Sequence, residues 1–322
     1  MSFEKPVIGI TMGDPAGIGP EILSKALRQD ETAQMADFLI IGDRSVYDRY
    51  DGPVGKTLRF RDLQKIDPAQ LVIGADNAYG GRAAYAYLQE AVRLLKSGEI
   101  QGLATAPLSK SAIMAAGIDN FTGHTEMLAR AFDVSEYEMM FAGGPFKTII
   151  ATRHIPLRDV PQAVTADKLF STIRLADKTL RSIFKISAPR IALCGINPHA
   201  GEGGKIGDDE KHAVIPAVER ARREGINAEG PFAADTLFIP ANAQNYDLVI
   251  AMYHDQGLAP IKALYFTQLV NLTIGLPFIR TSTAHGTAFN IAGQDRADPS
   301  SMIAAVRMAV ELTEKRIDTG EQ

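Results

Sequence analysis

Three histidines sit in matching surroundings: His154 in "RHIPL", His199 in "NPHAGEGG" and His254 in "MYHDQG". Each follows a short apolar run ("KTIIAT", "RIALCGI", "LVIAMY") and stands beside glycine, proline or acidic residues. Neutral imidazole is the commonest protein metal ligand, and three of them leave coordination positions open for a substrate. Taken singly, each reads better as a polar loop histidine than as a ligand; the repeated setting is what points to a metal. His212, in the helical "DDEKHAV", reads as solvent-facing and idle. A second chemistry is offered by "TGHTE" and by residues 262–282. His124, Thr125, Lys262, Asn271 and Arg280 are cationic or neutral donors suited to an anion such as phosphate. By spacing alone, Lys262 and Arg280 also read as surface charges. A third run, "HGTAFNIAGQDRADP" (285–299), is rich in small residues that let backbone approach a ligand closely. His285 there can stack on or bond to an adenosine, although a glycine-rich connection before the last helix fits the spacing as well. "GDPAGIGPE" (13–21) lacks the G-x-G-x-x-G spacing and reads as a tight turn into a helix, or as a cleft-lining loop.

The elements that must position these residues are those of an α/β protein with a largely parallel sheet. Strands are expected at 6–11, 38–42, 102–106, 147–152, 190–196 and 248–253, and helices at 82–98, 166–184 and 299–317. Helix 82–98 shows Ala84, Leu88, Ala91 and Leu95 at helical spacing, and helix 299–317 opens with Asp298 or a nearby serine as cap and Pro299 in its first turn. In an open α/β sheet, ligands collect at the carboxyl edge, where all three histidines fall. The 322 residues, 46% hydrophobic and 22% charged, are ample for one large or two medium domains. A net charge of −4 gives no electrostatic reason to expect nucleic acid. The single cysteine, Cys194 in "IALCGI", excludes an intrachain disulfide, suits a reducing compartment and reads as a core residue. "MSFEKPVIGI" does not read as a signal peptide, and no apolar run reaches membrane-spanning length, so a cytoplasmic protein without membrane partners is expected. No composition change marks a domain boundary, so a second domain must be interleaved with the first.

Together the runs "TMGDPAGIGPEI", "FTGHTEMLA", "HIPLRDV", "GINPHAGEGGKIG", "EGPFAADTLF", "AMYHDQGL", "VNLTIGLPFIRTS" and "HGTAFNIAG" resemble the 4-hydroxythreonine-4-phosphate dehydrogenases (PdxA-like) of pyridoxal phosphate biosynthesis. The resemblance spans nearly the whole chain and is weakest between about 50 and 80. "GDPAGIGPEI" and "HGTAFNIAG" also resemble segments of isopropylmalate and isocitrate dehydrogenases, implying their two-domain fold. The implied domains are 1–122 with 284–322, and 123–283 carrying metal and dimer-interface residues. The resemblance implies that His154, His199 and His254 bind one divalent metal (Zn, Mg, Co or Mn) in a homodimer. His154 and His199 would come from one chain and His254 from its partner. It implies that His124, Thr125, Lys262, Asn271 and Arg280 hold the phosphorylated substrate. His285, Gly286, Thr287, Ala288 and Asn290 would line the NAD or NADP site. The implied reaction oxidises 4-phosphooxy-L-threonine to 2-amino-3-oxo-4-phosphooxybutanoate, which loses CO2 to give 3-amino-2-oxopropyl phosphate; no general base is assigned. Ala284 stands where relatives usually carry Asp, and Asn290 where many do. Both remove a carboxylate near the expected cofactor loop. Alternatives therefore stand: a dehydrogenase of D-threonate or D-erythronate 4-phosphate or of an aromatic cis-dihydrodiol, and, more remotely, a non-catalytic metal-dependent binding protein.

Overall fold

The computed structural model describes residues 5–50 and 58–318. Outside it lie residues 1–4, where the reading of no signal peptide begins, residues 51–57 within the weakly matched stretch, and residues 319–322. The described residues form eleven strands: β1 (Val7–Thr11), β2 (Asp37–Gly42), β3 (Leu58–Asp62), β4 (Gly102–Thr105), β5 (Glu138–Gly143), β6 (Phe146–Ile150), β7 (Ile191–Cys194), β8 (Ala228–Phe232), β9 (Leu248–Ala251), β10 (Val270–Ile274) and β11 (Ile279–Thr283). All six expected strands are present, each within a few residues of its expected limits. The other five gave weaker signals. β3 is charged and partly exposed, β8 contains Gly230-Pro231, β5 and β10 are short, partly apolar runs whose period is ambiguous, and β11, "IRTST", is mostly polar.

Two compact units divide the chain: Met1–Ser135 with Leu276–Gln322, and Glu136–Gly275. The expected cuts at 122/123 and 283/284 thus move. The helix His124–Ala131 packs on the helix Ala78–Lys96, and β11 pairs with β4, so both belong to the first unit. In that unit the strand order is β3-β2-β1-β4-β11, all parallel. The order reverses at β1, so the loops after β1 and β4 diverge and leave a crevice at their carboxyl ends. β1 and β4 are buried along almost their whole length, as strands covered on both faces must be. The helix Ala78–Lys96 is capped by Asn77, whose Oδ1 accepts the Tyr79 and Gly80 N–H groups at 3.0 and 3.1 Å. Its buried face includes Ala84, Leu88, Ala91 and Leu94; Leu95, expected on that face, is only partly buried. Burying a leucine such as Leu88 stabilises the unit by about 1.5–3 kcal/mol. The last helix runs Ser300–Ile317, and Asp298 Oδ1 accepts the Ser300 N–H at 2.9 Å.

The second unit has the order β10-β5-β6-β9-β7-β8. β5 is antiparallel to both neighbours, whereas β6, β9, β7 and β8 run parallel. Cys194 is fully buried in β7, as expected of a core residue, and burial pushes its thiol pKa up. The helix Ala166–Ser182 starts at Thr165, whose Oγ1 accepts the Lys168 N–H at 3.2 Å. Among the described residues no helix is long and apolar enough to cross a membrane.

Candidate functional site

His154, His254 and His199 follow the carboxyl ends of β6, β9 and β7, three adjacent parallel strands of the second unit. The β6 and β9 exits are tied together. The Thr152 N–H and Oγ1 both donate to the Met252 carbonyl, at 3.1 and 2.7 Å. This brings the His154 and His254 rings to 5.7 Å between centroids, inclined at 43°. Arg153 is anchored on the other side: its Nη2 donates to the Tyr137 carbonyl at 2.9 Å and to Glu138 Oε2 at 3.1 Å. Burial raises the Glu138 pKa, with Arg153 and Thr172 working against that rise. His254 opens the helix His254–Tyr265, and its Nδ1 lies 2.7 Å from Asp255 Oδ1. A carboxylate on Nδ1 fixes the tautomer that presents Nε2 as a ligand, the outer-shell arrangement metal-binding imidazoles use. A cavity of about 220 Å³ opens here, lined by Thr152, Arg153, Leu157, Tyr253 and His254.

His199 is held differently. Residues 199–203 are all left-handed, with φ between 44° and 75°. Buried Glu210 supports that turn: its Oε1 accepts the Ile196 and Asn197 N–H groups at 2.8 and 2.7 Å, and its Oε2 accepts Asn197 Nδ2 at 3.0 Å. Among the described residues of the single chain, no three His, Cys, Asp or Glu side chains come close enough to hold an ion. Within the chain, His154 and His254 are the two of the three histidines whose rings are seen to meet. His212, as expected, is exposed, with only Asp208 at 3.5 Å. The sequence reading missed Glu210 and Gln256. Gln256 accepts the Met252 N–H at 2.7 Å and donates to the Gly195 carbonyl at 2.8 Å, joining the loops after β9 and β7. Its signal was its place in "MYHDQG", beside a candidate ligand.

In the first unit, Arg280 lies on β11 and is 2% exposed. Its Nη2 donates to Thr105 Oγ1 at 2.7 Å and its Nη1 to Thr125 Oγ1 at 3.4 Å. Burial pulls its pKa down to about 9, with the Glu126 carboxylate acting the other way, so it remains a cation at neutral pH. Thr125 and half-buried His124 open the helix His124–Ala131 behind Gly123, whose φ of 142° favours glycine. Burial drives the His124 pKa well below the ordinary value, and the Arg280 and Lys110 cations push it further, so it stays a neutral donor. A buried arginine, a threonine and a neutral histidine at a helix N-terminus can bind an anion. Thr105 and Lys110 escaped the sequence reading; "TAPLSK" gave only the end of a strand and a loop. Lys262, on the helix His254–Tyr265, and Asn271, on β10, belong to the second unit. Asn271 Oδ1 is buried without a hydrogen-bond partner.

The 285–291 loop follows β11 on the carboxyl edge of the first unit. Thr287 accepts the Ile18 N–H at 2.9 Å, Ala288 is left-handed (φ 42°), and residues 289–291 form a single turn. Beyond its own chain neighbours, no atom lies within 4 Å of where a Gly286 side chain would begin, and Asn290 is exposed, so the backbone of the loop is open on that side. The "GDPAGIGPE" turn packs beside it: a Cβ on Gly17 would stand 2.9 Å from the Thr287 oxygen.

This architecture is that of the isocitrate dehydrogenases. The chain superposes on the isocitrate dehydrogenase of Methylococcus capsulatus with a TM-score of 0.52 at 14% identity, covering 97% of this chain and 87% of the other, a likeness of fold alone. The family described as pyridoxal phosphate biosynthetic protein PdxA matches residues 23–309, and the chain belongs to this family of oxidoreductases. It is 42% identical over 327 residues to the 4-hydroxythreonine-4-phosphate dehydrogenase of Desulforapulum autotrophicum, covering 96% of each chain. It is also 42% identical to the D-threonate 4-phosphate dehydrogenase of Cupriavidus necator, over 98% of this chain and 100% of the relative. The crystal structure of 4-hydroxythreonine-4-phosphate dehydrogenase from Klebsiella pneumoniae superposes with a TM-score of 0.84 at 36% identity, covering 96% of this chain and 100% of that one.

Proposed function

We propose that this protein is a cytoplasmic, homodimeric, NAD(P)-dependent dehydrogenase that oxidises the C3 hydroxyl of 4-phosphooxy-L-threonine, whose β-keto product then loses CO2. The observation that carries this reading is the cluster of buried Arg280 and Thr125 with half-buried His124, a set of donors for a substrate phosphate. Lys262 and Asn271 would complete the grip on the substrate. Holding the phosphate fixes the reacting carbon, so binding energy from a remote group serves orientation. His154, His199 and His254 would hold a divalent ion shared across the dimer, and Asp255 at 2.7 Å already orients the His254 ring. When bound, such an ion supplies Lewis acidity to the substrate oxygen. His285, Gly286, Thr287, Ala288 and Asn290 would position the coenzyme that takes the hydride.

A second reading, oxidation of D-threonate 4-phosphate, is favoured equally by identity, since both kinds of relative stand at 42%. The two substrates share a phosphate and a hydroxy-acid backbone and differ at C2, amino against hydroxyl. The deciding experiment is a panel of 4-phosphooxy-L-threonine, D-threonate and D-erythronate 4-phosphates and a cis-dihydrodiol, assayed with NAD and NADP before and after chelation and metal return. Turnover of the first substrate at the highest kcat/KM, lost on chelation, supports the proposal. Preference for D-threonate 4-phosphate replaces it, and no turnover of any substrate favours a binding protein.

A further inference from the structure

We propose that Glu21 and Lys25 are positioning residues for the coenzyme, clamping the far end of the 285–297 loop onto the helix Gly19–Leu27. This inference rests on the reading of that loop as the coenzyme site. Ile18, Glu21 and Lys25 recur three and four residues apart, so they share one face of the helix and its entry turn. All three grip the loop. The Ile18 N–H donates to the Thr287 carbonyl at 2.9 Å. Glu21 Oε1 accepts the Ala297 N–H at 2.8 Å. Lys25 Nζ donates to the Asp295 and Ala297 carbonyls at 3.0 and 3.1 Å and to Glu21 Oε1 at 2.9 Å.

The arrangement separates side-chain work from surface charge. Glu21 is 1% exposed and its Oε2 has no hydrogen-bond partner, so Lys25 is what compensates a buried carboxylate. Lys25 also meets the Asp295 carboxylate at 2.9 Å, but that side chain is 90% exposed and solvent screens the pair. Beside the clamp is a cavity of about 220 Å³ lined by the pair together with Arg28, Arg49, Tyr50, Gly293 and Asp295. The cavity side of residues 293–295 therefore lacks core packing, and the polar bonds to Lys25 and Glu21 set where the loop ends. The clamp lies at one end of the loop and the proposed coenzyme contacts at the other, so it acts through loop position rather than by touching the ligand.

The test is equilibrium binding of NADH and NADPH, followed by fluorescence and independent of turnover. Lys25→Met should weaken binding about 10-fold, the scale of charge-assisted bonds lost. Lys25→Arg should recover most of that loss. Asp295→Asn should stay within about twofold of the wild type. Calorimetric binding of the phosphorylated substrate should be unchanged in all three. Because Lys25→Met leaves Glu21 charged and buried, the double variant Lys25→Met/Glu21→Gln repeats the measurement without that charge and should show the same weakening. Unchanged coenzyme affinity in the double variant, or equal losses for coenzyme and substrate, overturns the clamp. An Asp295→Asn effect as large as that of Lys25→Met also overturns it. Asn290→Ala and His285→Ala serve as loop controls. If they weaken coenzyme binding and the Lys25 variants do not, the clamp alone falls; if neither control matters, the coenzyme reading falls with it.

Discussion

Pairing of His154 with His254 inside one chain makes a specific prediction about mixed dimers. If each metal site takes these two ligands from one subunit and His199 from the other, His199→Ala and His154→Ala subunits should complement each other. In a heterodimer of the two, one site combines the intact His154–His254 pair of the first chain with the intact His199 of the second. The other site lacks both His154 and His199. Free mixing gives about half heterodimers, each with one working site, so about a quarter of wild-type activity should return. His154→Ala mixed with His254→Ala should give none, because every pair then carries a lesion. The grouping implied by the resemblance, His154 with His199, predicts the reverse for that mixture. The 5.7 Å between the His154 and His254 ring centroids is the observation behind the first grouping. The assay is dehydrogenase activity and metal content after co-expression, with heterodimers counted by native mass. Full heterodimer formation without activity from the His199→Ala and His154→Ala mixture would rule out this sharing of ligands. So would rescue by His154→Ala with His254→Ala.

Removing an anion contact should act on phosphorylated substrates only. Lys262→Ala and Arg280→Lys should lower kcat/KM about 10–150-fold, the span expected from 1.5–3 kcal/mol per charge-assisted bond, with little change on a dephosphorylated analogue; equal losses on both would assign these residues to structure. Burial lifts the Asp14 carboxyl to a pKa of about 6, with the Ala16 N–H bond opposing and the Asp76 charge adding. The folded state therefore holds this proton more tightly than the unfolded chain, and stability falls as pH rises from about 4 to about 6. Asp14→Asn, which keeps an acceptor for the Ala16 N–H, should gain up to about 3 kcal/mol over the wild type at pH 8 and almost nothing at pH 4. Denaturation at the two pH values measures this, and a variant no more stable at pH 8 would contradict it.

Much of the candidate site is legible before folding because its residues cluster within short runs. "RHIPL", "NPHAGEGG" and "MYHDQG" each carry a histidine just past an apolar strand, and local sequence suffices to place each at a carboxyl edge. "HGTAFNIAG" likewise marks a loop rich in small residues. What lay beyond local reading was partnership between segments distant in the chain. Which two histidines meet depends on β6 and β9 being neighbours, an outcome of sheet order that no spacing encodes. Arg280 reads as an anion donor or a surface charge alike until β11 pairs with β4 and buries it against Thr105 and Thr125. Glu21 and Lys25 form an ordinary i, i+4 helix pair in sequence; their grip on residues 295–297 arises only when the chain returns roughly 270 residues later. Local propensity and hydrophobic period act over a few residues and so can be read from the sequence. Strand order, burial of a charge and the meeting of remote loops follow from packing the whole unit, and there the tertiary structure alone decides.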